Sequence, residues 1–215
     1  FVTTIFSLSS HHPYTIPKKY DSVFRKGTLP IHKSIQYADY SLKKFFETAS
    51  KMPWYDNTIF IITADHTAIS ESQKYQTKVG MYSIPLVFYT PSGHGYLLDT
   101  TTTQQIDIMP AVLHMAGYNK PYFCFGNDIF NPEENHMAVS YLDDNYQIIS
   151  NGYAFSMDTA NAVSLYHYTT DSLLQNNLVN TDTAIQNPLQ QKLKAFIQNY
   201  NHALLENKMS LKKSD

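Results

Sequence analysis

Apolar and polar residues alternate along the chain in patterns that predict a mixed α/β fold. Residues 1–8 alternate β-branched and aromatic types and then break into a polar loop, which predicts a strand. Apolar residues between Ile31 and Ala49 recur at helical spacing, so one face of a helix should pack on a sheet. Continuous apolar runs at 58–63 and 84–89 are typical of strands that are covered on both faces.

A short helix is predicted over residues 107–116, with Asp107 as its cap and Gly117 in the left-handed position after its end. The pattern changes after about Pro132, where short apolar segments alternate with turn residues. Four antiparallel strands are predicted there, at 138–142, 146–149, 153–157 and 163–168. Asn151-Gly152 is a strong hairpin signal, and an amphipathic helix at 189–204 follows the strands.

This order of elements predicts part of a doubly wound α/β sheet with an antiparallel C-terminal subdomain. We expect the α/β core in residues 1–132, the meander and closing helix in 133–207, and a polar tail in 208–215. Phe1 lies inside a predicted strand and is not an initiator Met. We therefore expect this chain to be the C-terminal portion of a longer protein, whose targeting or anchoring segments lie upstream.

Composition narrows the classes of partner. Hydrophobic residues make up 43% of the chain and charged residues 16%, which is typical of a folded protein. The formal net charge of −2 gives no reason to expect a nucleic-acid partner. Cys124 is the only cysteine, so no intrachain disulfide can form. Its apolar neighbours predict a buried small residue rather than a nucleophile.

Two polar clusters follow predicted strands, where ligands bind in open α/β sheets: His11-His12 and Asp65-His66. An adjacent carboxylate and imidazole can ligate one divalent cation, and Zn²⁺ and Mn²⁺ both accept that pair of ligands. On spacing alone a structural interpretation is stronger, in which Asp65 caps a turn and His66 hydrogen-bonds within its loop. His94, between two glycines, is a weaker candidate to approach the site.

The sequence around these clusters resembles the alkaline phosphatase and sulfatase superfamily. Residues 63–71, Thr-Ala-Asp-His-Thr-Ala-Ile-Ser-Glu, resemble its Asp-His metal motif, above all in the lipoteichoic acid synthase-like branch. Residues 9–14, Ser-Ser-His-His-Pro-Tyr, resemble the Ser/Asn-His-x-Pro loop of that branch and of the phosphoethanolamine transferases. Three further segments resemble family elements in the same order, at 36–46, 84–86 and 105–113.

The resemblance implies roles for individual residues. It implies an alkaline phosphatase-like core, with Asp65 and His66 as metal ligands. The implied cofactor is a divalent metal, Mn²⁺ or Zn²⁺, with Mg²⁺ and Ca²⁺ as alternatives. His11 matches the histidine that contacts the transferred or leaving group, and His12 is the neighbour that could take that substrate-binding role instead. The remaining ligands and the Thr or Ser nucleophile are implied to lie upstream, so we expect this chain alone to be inactive.

The implied function is metal-dependent hydrolysis or transfer of a phosphoryl or sulfuryl ester. One version is a cell-envelope transferase of glycerol phosphate acting on a lipid-linked ester. The whole protein would then lie at the extracytoplasmic face of a bacterial membrane, anchored through segments outside this chain. The alternative is a non-catalytic envelope binding domain with a vestigial metal site. The sequence leaves open the metal, phosphate versus sulfate, and hydrolase versus transferase.

Overall fold

The computed structural model describes residues 1–93 and 99–211, so His94 and the end of the polar tail lie outside the described residues. The helices are α1 Ile31–Ala49, α2 Gln73–Gln76, α3 Ile108–Met115 and α4 Thr183–Leu205. The strands are β1 Phe60–Thr63, β2 Leu86–Tyr89, β3 Ala138–Leu142, β4 Asn145–Ser150, β5 Tyr153–Met157 and β6 Ala162–Tyr166. Strands β1 and β2 form one sheet, and the other four form a second.

The expectation that 58–63 and 84–89 are fully covered strands is only partly correct. Both segments contain a strand, β1 and β2, but no residue of either strand is buried. Val87 is 45% exposed and Tyr89 is 37% exposed. A strand loses its solvent contact only when helices or sheets cover both of its faces. The described residues do not provide that cover for these two strands.

The predicted strand at residues 1–8 was wrong. The segment is irregular, and its apolar side chains are exposed, with Phe1 at 92% and Val2 at 98%. Alternating apolar residues favour an extended backbone, but a strand forms only when a neighbouring strand accepts and donates its hydrogen bonds. No strand in residues 1–93 or 99–211 pairs with this segment.

The chain divides into two compact units, which we describe separately. The first contains Phe1–Ile61 and the segment from Phe88 to Gly93. Its helix α1 is the helix predicted from the apolar spacing, and it contacts β1 through aromatic rings, with Phe46 and Phe60 centroids 5.1 Å apart. The second unit contains Ile62–Val87 and the described residues from Asp99 onward.

The meander predicted after Pro132 is present in the second unit. Strands β3 to β6 pair in sequence order, each antiparallel to the next. Asn151 and Gly152 both have positive φ, 51° and 79°, as a two-residue hairpin turn requires. Asp143 and Asp144 adopt the same backbone conformation in the turn between β3 and β4.

The core of the second unit lies where α4 packs on this sheet. The residues that form it are buried and apolar: Ile148, Phe155, Met157, Leu165, Leu189 and Leu193. Asp182 caps α4 by accepting a hydrogen bond from the Ile185 N–H at 3.3 Å. In the first half of the predicted apolar face of α4, Leu189 and Leu193 are buried, whereas Leu204 near the end of the helix is 54% exposed.

Among the described residues, none of the helices is both long and apolar enough to span a membrane.

Candidate functional site

Asp65 and His66 lie directly after the end of β1, separated from it by Ala64 alone. The Thr63 hydroxyl donates to the Pro85 carbonyl at 3.0 Å, so the end of the strand is fixed. The Asp65 and His66 side chains are 55% and 73% exposed, so both are open to a ligand. The structure therefore brings these two predicted ligands together at the carboxyl end of a strand.

The His66 ring is held in an orientation that suits metal binding. Its Nδ1 lies 2.7 Å from the Thr67 carbonyl oxygen, which can only accept, so Nδ1 carries the proton. In the neutral ring Nε2 then has a free lone pair, the form that ligates metals. Asp65 is fixed in a similar way, because its Oδ1 accepts a hydrogen bond from the His66 N–H at 2.9 Å, and its Oδ2 faces His66 Nε2.

The two remaining donor atoms are spaced for one cation. Asp65 Oδ2 and His66 Nε2 are 3.5 Å apart. Two ligands about 2.1 Å from a tetrahedral Zn²⁺ would be separated by about 3.4 Å. The pair therefore fits two positions of a divalent-cation site. Within residues 1–93 and 99–211 no group of three or more His, Cys, Asp or Glu residues is placed to hold a metal.

Gln105 holds the backbone of this loop and was not singled out from the sequence. Its Nε2 donates to the Ala64 carbonyl at 3.0 Å and to the Asp65 carbonyl at 2.9 Å. These two bonds fix the residue that carries the carboxylate. Gln105 is the first residue of segment 105–113, which resembles a family element. That resemblance is the signal that could have identified Gln105 from the sequence.

Replacing Gln105 by leucine should weaken binding of Zn²⁺ or Mn²⁺ to this chain by about 10-fold, because loss of supporting hydrogen bonds typically costs 10–100-fold in metal affinity. The leucine keeps the volume but cannot donate to the Ala64 and Asp65 carbonyls. Isothermal titration with each metal measures the change. Gln76→Leu is the matched control, since the Gln76 amide donates to the Ser70 carbonyl beyond the pair. Equal losses in both variants would contradict a positioning role for Gln105.

His11 and His12 lie in the first unit, in a turn after the irregular segment 1–8. His11 Nδ1 is 2.9 Å from the His12 carbonyl oxygen, so Nδ1 carries the proton and Nε2 is available to a ligand. The His12 ring instead packs edge-on against Tyr14, with centroids 5.7 Å apart. Of the two histidines, His11 therefore has the ring nitrogen better presented for binding.

Asp107 is buried within the second unit and serves the structure of the turn that carries Gln105. Its carboxylate accepts the Gln104 N–H at 2.9 Å and the Asn127 N–H at 2.7 Å. Asp107 stands at the start of α3 as predicted, but its side chain makes no capping bond to that helix, because it turns back to Gln104. Burial raises the pKa of the Asp107 carboxyl, although the two N–H donors oppose the rise.

Cys124 has the properties of a structural thiol. Its Sγ donates to the Gly126 carbonyl at 3.2 Å, and burial raises the pKa of the thiol. A raised pKa lowers the thiolate fraction at neutral pH, so the group is a weaker nucleophile than a free cysteine. Cys124 is only partly buried, not fully buried as predicted, but these contacts support its interpretation as a small packing residue rather than a nucleophile.

Comparisons with known proteins agree on a family. A family model described as Sulfatase matches residues 1–118. Lipoteichoic acid synthase of Staphylococcus aureus (strain USA300) is 28% identical over 156 residues, which cover 64% of this chain and 24% of the relative. The chain thus spans about a quarter of the length of the curated relatives that it matches.

Solved structures agree on the fold. A protein of the alkaline phosphatase superfamily from Vibrio parahaemolyticus superposes with a TM-score of 0.77 and 22% identity, covering 95% of this chain and 49% of that one. A protein crystallised with its substrate D-glucosamine-2-N,6-O-disulfate superposes with a TM-score of 0.57 and 16% identity, over 86% of this chain and 45% of that one. The predicted alkaline phosphatase-like α/β fold is confirmed.

Proposed function

This chain belongs to the sulfatase family, and from that premise we propose that it forms part of a metal-dependent enzyme that hydrolyses or transfers a phosphate or sulfate ester. Asp65 and His66 are the proposed metal ligands, and His11 is the proposed contact to the transferred or leaving group. The observation that carries the proposal is the pair of donor atoms 3.5 Å apart, Asp65 Oδ2 and His66 Nε2.

The chain's own residues would prepare this metal site before a cation arrives. The Thr67 carbonyl keeps the proton on His66 Nδ1, and Gln105 fixes the backbone at Asp65. Asp65 Oδ2 and His66 Nε2 would hold the cation, whose chemistry when bound is Lewis-acid activation of a hydroxyl or water and neutralisation of developing negative charge. Fixing the ligands beforehand lowers the cost of reorganisation on binding.

His11 would act on the ester through Nε2. Its Nδ1–H is already committed to the His12 carbonyl, so the ring orientation is set and Nε2 is the reactive nitrogen. As an imidazolium, Nε2–H can donate a proton to the leaving oxygen; as a neutral ring, Nε2 can accept one from an attacking hydroxyl. His12, packed against Tyr14, would support the loop or take a secondary part in substrate binding.

Among phosphate and sulfate esters, we favour a lipid-linked phosphate ester as the substrate. Lipoteichoic acid synthase of Staphylococcus aureus is among the curated relatives that match, and the match extends over 64% of this chain. The proposed reaction is then the transfer of a glycerol-phosphate group at the extracytoplasmic face of a bacterial membrane. Sulfate-ester hydrolysis is the second outcome that the same residues would support.

The test uses protein expressed from the complete open reading frame. We expect metal-dependent release of glycerol phosphate from a lipid-linked glycerophosphate ester, and a fall in kcat of about 10²-fold or more in His11→Ala, since a general acid typically contributes 10²–10⁴-fold. His202→Ala is the matched control, because His202 is exposed on α4. Product release that is unchanged when a chelator removes the metal, or a kcat unchanged by His11→Ala, would favour the non-catalytic binding domain.

A further inference from the structure

The second unit contains a groove that the catalytic proposal does not use. We define the aromatic groove by six residues that line it: Ile106, Met109, Phe125, Tyr146, Phe196 and Tyr200. It is formed by the start of α3, the adjoining strands of the meander and the second half of α4. Its volume of about 910 Å³ falls within the range of small-molecule sites, roughly 300–1,000 Å³.

The chemistry of the aromatic groove suits a hydrocarbon. Among the described residues that line it, none carries a charge, and the interior is aliphatic and aromatic. Met109 and Tyr200 are still 44% and 40% exposed, so apolar surface here faces water. An exposed apolar concavity of this extent is typical of a binding site, because leaving it in water costs free energy.

The aromatic groove adjoins the proposed metal loop through one side chain. Gln105 lines the groove, and the same amide donates to the Ala64 and Asp65 carbonyls. Gln104 also lines it, and the buried Gln104 Nε2 meets no acceptor among the described residues.

We propose that the aromatic groove binds the hydrocarbon chain of a lipid-linked phosphate ester whose phosphate lies at Asp65 and His66. This rests on the proposed function and specifies its substrate class. A sugar chain suits the groove less well, because each ring brings several hydroxyls that need partners, whereas the surface that the groove exposes is mainly apolar. The shared contact, Gln105, places the polar and apolar ends of the ligand next to one another.

The test titrates this 215-residue chain, in the presence of EDTA, with methyl, butyl, hexyl and octyl phosphate below micelle-forming concentrations. Burial of each added methylene should raise affinity by roughly fourfold until the aromatic groove is filled. Tyr200→Glu places a charge in the groove and should abolish this dependence on chain length. Leu204→Glu places the same charge one helical turn later on α4, outside the groove, and should preserve it.

A second variant is needed because Tyr200→Glu also removes the contact between the Tyr200 and Phe125 rings, which would disturb packing. Met109→Trp fills the aromatic groove without adding charge and should weaken octyl phosphate binding while methyl phosphate binding is unchanged. Affinity that does not rise with chain length, or equal losses in Tyr200→Glu and Leu204→Glu, would overturn the proposal. Displacement of octyl phosphate by a neutral oligosaccharide would overturn it in favour of a sugar site.

The outcome is separable from that of the catalytic proposal. Metal binding is measured separately, by titrating Zn²⁺ into the parent chain and into the Asp65→Ala, His66→Ala double variant, whereas the alkyl phosphates are titrated into the parent chain with EDTA present. Loss of metal binding in that double variant with no dependence on chain length supports the metal site and rejects the hydrocarbon site. Metal binding that is unchanged in the double variant, together with an affinity that rises with alkyl chain length, supports the hydrocarbon site and rejects the metal site.

Discussion

Replacing Asp65 and His66 together by alanine is expected to abolish the proposed binding of a divalent cation to protein expressed from the complete open reading frame, and the proposed ester cleavage with it. Loss of supporting groups around a metal typically costs 10–100-fold in affinity, so loss of two direct ligands should cost more than about 100-fold. Metal content measured by mass spectrometry, together with release of glycerol phosphate from a lipid-linked ester, gives the two readouts. Both should fall in parallel.

The geometry makes the prediction specific to these two side chains. Within residues 1–93 and 99–211, no other hydrogen bond competes for Asp65 Oδ2 or His66 Nε2, whereas Oδ1 and Nδ1 hold the loop. Asp65→Asn is a gentler variant, because it keeps the shape and removes the charge. It should weaken metal binding by less than the double alanine variant does, in line with the loss of one charged ligand.

A second Asp–His pair in the chain supplies the control. His114 Nδ1 lies 2.6 Å from Asp128 Oδ2, at the end of α3, and no role in the site is assigned to it. His114→Ala removes a histidine from an Asp–His contact without touching the proposed ligands. Metal content that survives in the Asp65 and His66 variant, or that is lost equally in His114→Ala, would mean that Asp65-His66 only shapes its loop.

The sequence was most informative where local patterns determine structure. The spacing from Ile31 to Ala49 predicted α1, and Asn151-Gly152 predicted the hairpin between β4 and β5. These elements depend on residues close in sequence, since a helix bonds within itself and a two-residue turn needs positive φ at both positions. The position of Asp65 and His66 after a strand followed in the same way.

Long-range contacts were the part that the sequence could not supply. Residues 1–8 have the pattern of a strand, yet a strand depends on a partner strand that is often distant in sequence. Gln105 is 40 residues from Asp65, and nothing in either local pattern predicts the bond between them. The aromatic groove likewise combines side chains of α3, the meander and α4, which only the fold brings together.

Substitution of Asp107 should be among the most destabilising single changes in the second unit. The side chain is fully buried, at 0% exposure, and accepts the Gln104 and Asn127 N–H groups. Asp107→Ala leaves both donors without acceptors, at a cost of about 2–4 kcal/mol in the free energy of unfolding. Asp107→Asn keeps one acceptor and turns an NH₂ toward the other donor, so its cost should be smaller. Urea denaturation followed by circular dichroism measures both.

The pH dependence of that loss has a definite sign. Burial raises the folded-state pKa of Asp107, so the folded protein binds its proton more tightly than the unfolded chain does. The stability advantage of the parent chain over Asp107→Asn should therefore be greatest near pH 4 and decrease as the pH rises through the folded-state pKa. An advantage that grows with rising pH would show that the two N–H bonds outweigh burial.

Asp158 is the matched control, because it also accepts two backbone N–H groups, from Ala160 and Asn161. It is partly exposed, and the Asn161 N–H bond, helped by the Ala160 bond, lowers its pKa. The advantage of the parent chain over Asp158→Asn should thus be present above pH 4 and be lost as the pH falls through the folded-state pKa. Opposite pH slopes in the two asparagine variants would establish that burial, rather than hydrogen bonding, controls the titration of Asp107.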